Sequence, residues 1–194
     1  NIFLQMKNLI IIFLFLFNLQ SWTKADDIGD FEIAEMSVGD SLLIYMNIDE
    51  IKKAEENSTI YPDSNYIVIF YNQSSELYEY IQIVYDQKDK NYIIHGLTGA
   101  VDYPDQYEEC KKSKIDIIDE FKIVFKDAEM FEDEGPHAFA PDSKVAQFDF
   151  YPKSGGFARV SCTDWSEKMF EENGWVDNLK ISLGSEKFVQ FLSK

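Results

Sequence analysis

The chain reads as an α+β protein: an antiparallel sheet of about six to eight strands, one long helix over about residues 111–131, and short C-terminal helices. Three observations predict this class. Short runs rich in branched and aromatic residues recur between polar turns, as at residues 66–71, 78–85 and 145–151. Within residues 110–131, by contrast, Ile117, Ile118, Phe121, Val124, Phe125, Ala128 and Phe131 recur at helical spacing, with the charged residues on the other side. The stretch 155–183 then holds a strand, a capped helix and a second strand, and carries Arg159, Cys162, Trp165 and Trp175. An all-β barrel or sandwich is the alternative, and it requires that 111–131 not be helical.

The first residues read as a leader. From Met6 the sequence has Lys7, an apolar run over 9–17, and small residues at Thr23 and Ala25. That is the pattern of a secretory signal peptide cut between Ala25 and Asp26, with 1–5 as upstream residues. A membrane anchor is the other reading, but a span needs about 20 apolar residues, and Asn18 interrupts this run. Residues 26–194 are therefore expected to form a single secreted, extracellular globular domain, with no membrane span.

The remaining elements follow in order. Residues 31–36 offer a first edge strand through Phe31, Ile33 and Met36, and 41–46 (SLLIYM) a better one. Asp49 stands where a helix cap would, ahead of IKKAEE, and 57–64 is loop. The run 66–71 (YIVIFY) is apolar on both faces and predicts a central strand. Strands at 78–85 and 92–95, the second ending at Gly96, complete a meander. Pro104 suits the first turn of the long helix or of a shorter one before it. Gly135, two prolines and many charges make 132–144 a loop.

The strongest hairpin comes next. Residues 145–151 alternate Ala146, Phe148 and Phe150 against Gln147 and Asp149, 152–156 turn, and 157–162 alternate Ala158, Val160 and Cys162 inward. Asp164-Trp165-Ser166-Glu167 reads as a capping box, with Trp165 and Met169 on one helical face and Gly174 as the left-handed stop. Leu179, Ile181 and Leu183 form a last strand, and Gly184-Ser185 opens a terminal helix covered by Phe188, Phe191 and Leu192.

Charge and cysteines bound the function. The chain has 18 basic against 35 acidic residues, a net charge of −17. Such a balance argues against nucleic acid and against anionic membrane surfaces as partners. It suits a solubilising surface, a cationic ligand or a basic protein partner. Two cysteines in a secreted chain imply one disulfide, Cys110–Cys162. Asn57-Ser58-Thr59 and Asn72-Gln73-Ser74 are acceptor sequences for N-glycosylation at Asn57 and Asn72.

No catalytic constellation can be drawn. His95 ends an apolar strand, where a half-buried, backbone-bonded imidazole is the ordinary reading. His137 follows the acidic run 132–134, which leaves open a metal site of one imidazole and carboxylates. No second histidine or cysteine stands at ligand spacing, however, and acidic loops are ordinarily just solvated. No cofactor, metal or catalytic residue is therefore assigned.

Aromatics are the compositional excess: the chain has 11 tyrosines. Tyr66, Tyr78, Tyr80, Tyr85 and Tyr92 sit on or beside the meander, either as ordinary strand packing or as a ligand face with hydroxyl handles. The expected function is non-enzymatic binding of a small apolar or amine-bearing ligand. A secreted interaction protein (effector, inhibitor or matrix component) that uses its acidic surface on a basic protein partner is the alternative. A hydrolase built around His95 or His137 comes third.

Overall fold

The computed structural model describes residues 27–71 and 77–194. The expected leader and the Asn72 sequon lie outside the described residues. The fold is α+β. Eight strands form one antiparallel sheet in the order β3-β4-β5-β6-β10-β9-β8-β7. They are β3 (Thr59–Ile60), β4 (Tyr66–Tyr71), β5 (Tyr80–Asp86), β6 (Ile94–Asp102), β7 (Glu129–His137), β8 (Ala140–Tyr151), β9 (Phe157–Asp164) and β10 (Asn178–Gly184). A small separate hairpin joins β1 (Glu32–Ile33) to β2 (Met36–Ser37). The sheet is open, with β3 and β7 at its edges, so the barrel alternative does not hold.

Alternation along the strands divides the sheet into two faces. Ile67, Ile69, Ile81, Ile83, Leu97, Val160, Leu179, Ile181, Leu183 and Phe150 point to one face and form the core. That face is covered by helix α2 (Tyr107–Val124), whose Ile117, Ile118 and Phe121 enter the cluster, and by Ile33 and Met36 of the hairpin. Helix α1 (Ile48–Glu55) adds Ile51, which is fully buried. Phe31, Phe121, Phe125 and Phe150 interlock at ring separations of 4.7 to 5.8 Å. The Cys110–Cys162 disulfide, with Cα atoms 5.9 Å apart, pins the first turn of α2 to β9.

Several local expectations are corrected. The helix is Tyr107–Val124, not 111–131: Phe125 leaves helical geometry (φ −91°, ψ 39°), and from Glu129 the chain joins β8. The loop expected at 132–144 is instead the tip of the β7–β8 hairpin. Its Pro136 is tolerated because β7 is an edge strand with a register shift there. Residues 41–46 form no strand. Leu42 is buried while Leu43 and Ile44 are exposed, and a 3-10 turn over Leu42–Ile44 satisfies that burial.

Strand β4 lies next to the two-residue edge β3 rather than at the centre, and its Val68 and Phe70 face is only partly covered. Strand β6 runs through Gly96 and Gly99 rather than stopping there. Its glycines serve close packing: a Cβ on Gly99 would stand 2.5 Å from the Tyr78 ring.

The caps are shifted as well. Helix α1 is capped by Asn47 in a reciprocal box with Glu50 (3.0 and 2.8 Å), not by Asp49. Helix α3 (Glu167–Asn173) is capped by Ser166, not Asp164, and ends on Gly174 at φ 69° as expected. Helix α4 (Glu186–Leu192) is capped by Ser185 and buries Phe188, while Leu192 is exposed.

Candidate functional site

The second face of the sheet carries the candidate site. By alternation it receives Phe70 from β4, Tyr80 and Gln82 from β5, Thr98 and Ala100 from β6, Lys180 and Ser182 from β10, Arg159 and Ser161 from β9, and Gln147 and Asp149 from β8. At one end α4 covers this face with an aromatic packet in which Phe188 and Phe191 meet Tyr61 and Tyr66. The floor is polar. Thr98 donates to Ser182 at 2.9 Å, and Arg159 holds the buried Asp149 in a two-pronged pair (Nη2 to Oδ2 2.9 Å).

A second aromatic cluster stands at the opposite end. Trp165 leaves β9, Trp175 follows α3, and His137 and Phe139 sit at the tip of the β7–β8 hairpin. Trp165 and Trp175 are 4.7 Å apart, and His137 lies 4.7 Å from Trp165 and 4.2 Å from Phe139. The placement of Trp165 has a local cause: its N–H donates to Asp177 Oδ1 at 2.7 Å, tying the exit of β9 to the entry of β10. Phe139 and Trp175 remain open to solvent.

Lys180 lies at the border of this cluster. Its ammonium sits 5.9 Å from the Trp165 ring and 6.0 Å from the Tyr80 ring. Burial alone lowers its pKa. Among the described residues three lysines are covered. Lys111 and Lys114 pair with Glu134 (3.4 Å) and Glu132 (3.6 Å), but no carboxylate meets Lys180. The His137 imidazole is held below its ordinary value, first by burial and then by the charge of Lys180, and its Nδ1 has no hydrogen-bond partner. Two neighbouring nitrogen bases thus stand beside exposed aromatic rings, proton donors next to an apolar wall.

The five tyrosines do not line one surface. Tyr78 is buried against Gly99 on the core face, where burial raises its hydroxyl to about 12. Tyr85 is fully buried and donates to Glu55 of α1 at 2.6 Å, with Tyr92 beside its ring at 5.7 Å. Tyr66 belongs to the α4 packet. Of the five, Tyr80 alone stands beside Lys180, and burial raises its pKa, with Asp102 adding to the shift.

The other sequence-derived positions are scattered. His95 is buried with Nδ1 3.0 Å from Ser185 Oγ, far along the sheet from His137. Asn57 is exposed in the turn after α1. The acids of 132–134 lie along the edge strand β7, and among the described residues no three His, Cys, Asp or Glu side chains gather as a metal site. Among the described residues, too, no helix is long and apolar enough to cross a membrane.

Lys180 escaped the sequence reading. Its one signal was position: a cation between Leu179 and Ile181 must face away from the core, and an interior strand denies it solvent on both flanks. Comparisons with protein-family models, with curated proteins and with solved structures gave no match.

Proposed function

We propose that this is a secreted, non-enzymatic binding protein, and that its ligand is a small molecule with an apolar or aromatic body and an acidic end. The observation that carries the reading is Lys180, a covered ammonium without a carboxylate in a chain rich in carboxylates. A charge left this way favours an anionic ligand, because the ligand restores what burial removed. The Trp165, Trp175 and Phe139 rings supply the apolar wall, and Tyr80 flanks the ammonium on the other side. An amine-bearing ligand would meet like charge here, so the acid is favoured over the amine.

Titration of the intrinsic fluorescence of Trp165 and Trp175 tests this. Hydrocinnamate, hydrocinnamyl alcohol and phenylpropylamine share one apolar body and differ at the end group. The acid is expected to bind about tenfold more tightly than the alcohol, with Lys180→Met abolishing the difference. Equal binding of all three, or an unchanged preference in the variant, would sink the reading.

A second reading rests on β7. This free edge strand exposes Glu129, Glu132, Asp133 and Glu134, which suits a basic protein segment. It predicts binding that weakens steeply with salt and is lost on reversing the exposed Glu129 and Asp133 to lysine.

A further inference from the structure

Lys180 differs from every other lysine in the described chain. Those outside an ion pair, such as Lys53 and Lys126, are exposed and solvated. The other covered ones, Lys111 and Lys114, are neutralised by glutamates. Lys180 is partly covered and, among the described residues, forms no ion pair. Its nitrogen lies 6.0 Å from the Tyr80 ring centre and 5.9 Å from that of Trp165, on an interior strand of the sheet. An amine in such a place holds its proton less firmly and presents a lone pair to whatever lies between the rings.

We propose that Lys180 captures small apolar aldehydes as a reversible imine, with the aldehyde's apolar body held between Tyr80 and Trp165. The inference uses the site proposed above but not its preference for acids. The nitrogen lone pair attacks the carbonyl carbon, and the carbonyl π pair moves to oxygen, which takes up a proton. The carbinolamine then expels water. Both hydrogens of the neutral amine leave with the oxygen, and a C=N bond remains. No oxidant or reductant is consumed.

His137 is placed to carry the proton. It is close enough to feel the charge of Lys180, is held neutral, and has an unpartnered Nδ1. Its position next to Trp165, at 4.7 Å, puts it on the same side of the site as the incoming carbonyl.

The test is competitive labelling of the folded, full-length wild-type protein, so that no variant need fold. Hydrocinnamaldehyde is added at neutral pH with cyanoborohydride to trap imines, and each lysine's modification is followed by peptide mapping. Lys180 is expected to be trapped about tenfold faster than Lys53 and Lys126, and to lose that lead in denaturant. Trapping no faster than at those two lysines, or a lead that survives in denaturant, would overturn the proposal. A parallel sample with hydrocinnamate separates the two readings. Protection of Lys180 by the acid supports both, whereas a fast Lys180 that the acid does not protect supports imine capture and overturns the acid-binding reading.

Discussion

Tyr85 Oη donates to Glu55 Oε1 at 2.6 Å, joining the buried end of β5 to the last turn of α1. Burial raises the Glu55 pKa, but the bonds from Lys52 and Tyr85 outweigh it and hold the carboxyl below its ordinary value. A carboxylate depressed on folding contributes stability that is full above its unfolded value and is lost as pH falls through the folded value. Tyr85→Phe should cost about 2 kcal/mol, because it keeps the ring and removes a bond to a charged acceptor. Chemical denaturation at neutral pH and near pH ~4 checks both statements. The deficit of the variant should shrink in acid, and a deficit independent of pH would place the effect in ring packing instead.

The disulfide should matter more than any single side chain. It links positions 52 apart and fixes α2 across β9. The chain-entropy model assigns a loop of this size about 4 kcal/mol. The double variant Cys110→Ala, Cys162→Ala should lower the denaturation midpoint accordingly and, by freeing the unfolded chain to expose more surface, raise the slope. A loss under about 1 kcal/mol would mean that α2 docks through Ile117, Ile118 and Phe121 without help from the crosslink.

Gly99→Ala tests why β6 passes straight through a glycine. The new methyl would press on the Tyr78 ring and on Ile33, which lies 3.0 Å away. Overpacking of this kind costs about 1–3 kcal/mol. The paired change Tyr78→Leu should recover part of the loss in thermal unfolding, and no recovery would place the strain elsewhere.

His95 predicts acid sensitivity. Burial, with Lys187 nearby, lowers its pKa against the opposite pull of Asp89 and Asp86. A histidine depressed on folding adds stability above its ordinary value of about 6.5, and that stability is lost as pH falls through the folded value. His95 Nδ1 also meets Ser185 Oγ, which caps α4 by accepting from Phe188 N at 3.2 Å. Thermal melts between pH ~7.5 and pH ~5 should therefore fall more steeply for the wild type than for His95→Gln. Parallel curves would show that the carboxylates dominate this range.

Lys180 predicts the reverse of an ordinary surface lysine. Its folded value is depressed, so the unfolded chain binds more protons over the alkaline range and stability rises with pH there. Lys180→Met should be more stable than the wild type at neutral pH, with a margin that narrows towards pH ~10. Tyr78 and Tyr80, raised by burial, pull the other way above that point and do so in both proteins. A variant less stable than the wild type at neutral pH would mean that the ammonium is well held in the folded state.

Much of the architecture was legible because periodicity reports burial directly. Leu179, Ile181 and Leu183, or Ala158, Val160 and Cys162, could alternate only against a core, and all six are buried. The disulfide followed from there being two cysteines, and the α+β class from a helical pattern set among strand patterns. Boundaries were harder. Phe125 and Ala128 extend the helical spacing of α2, yet from Glu129 the chain gains more by pairing with β8 than by another helical turn. Gly96 looks like a stop in one dimension, yet the strand runs on and both Gly96 and Gly99 are contact points in three. Leu42 and Met46 look like strand residues until a single buried turn satisfies both.

The sequence by itself determined which face of the central strands goes inside, the sign of the overall charge and the crosslink, since each depends on side-chain type and local order. Only the tertiary structure decided which polar residues meet. Tyr80, His137, Trp165 and Lys180 come from four places in the chain and are neighbours only through strand order and twist. The tyrosines that looked like one face along the meander were divided between two sides of the sheet, because successive strand residues point opposite ways and each found a different partner. A lone lysine between apolar residues becomes informative only once the fold shows that it is covered and, among the described residues, forms no ion pair.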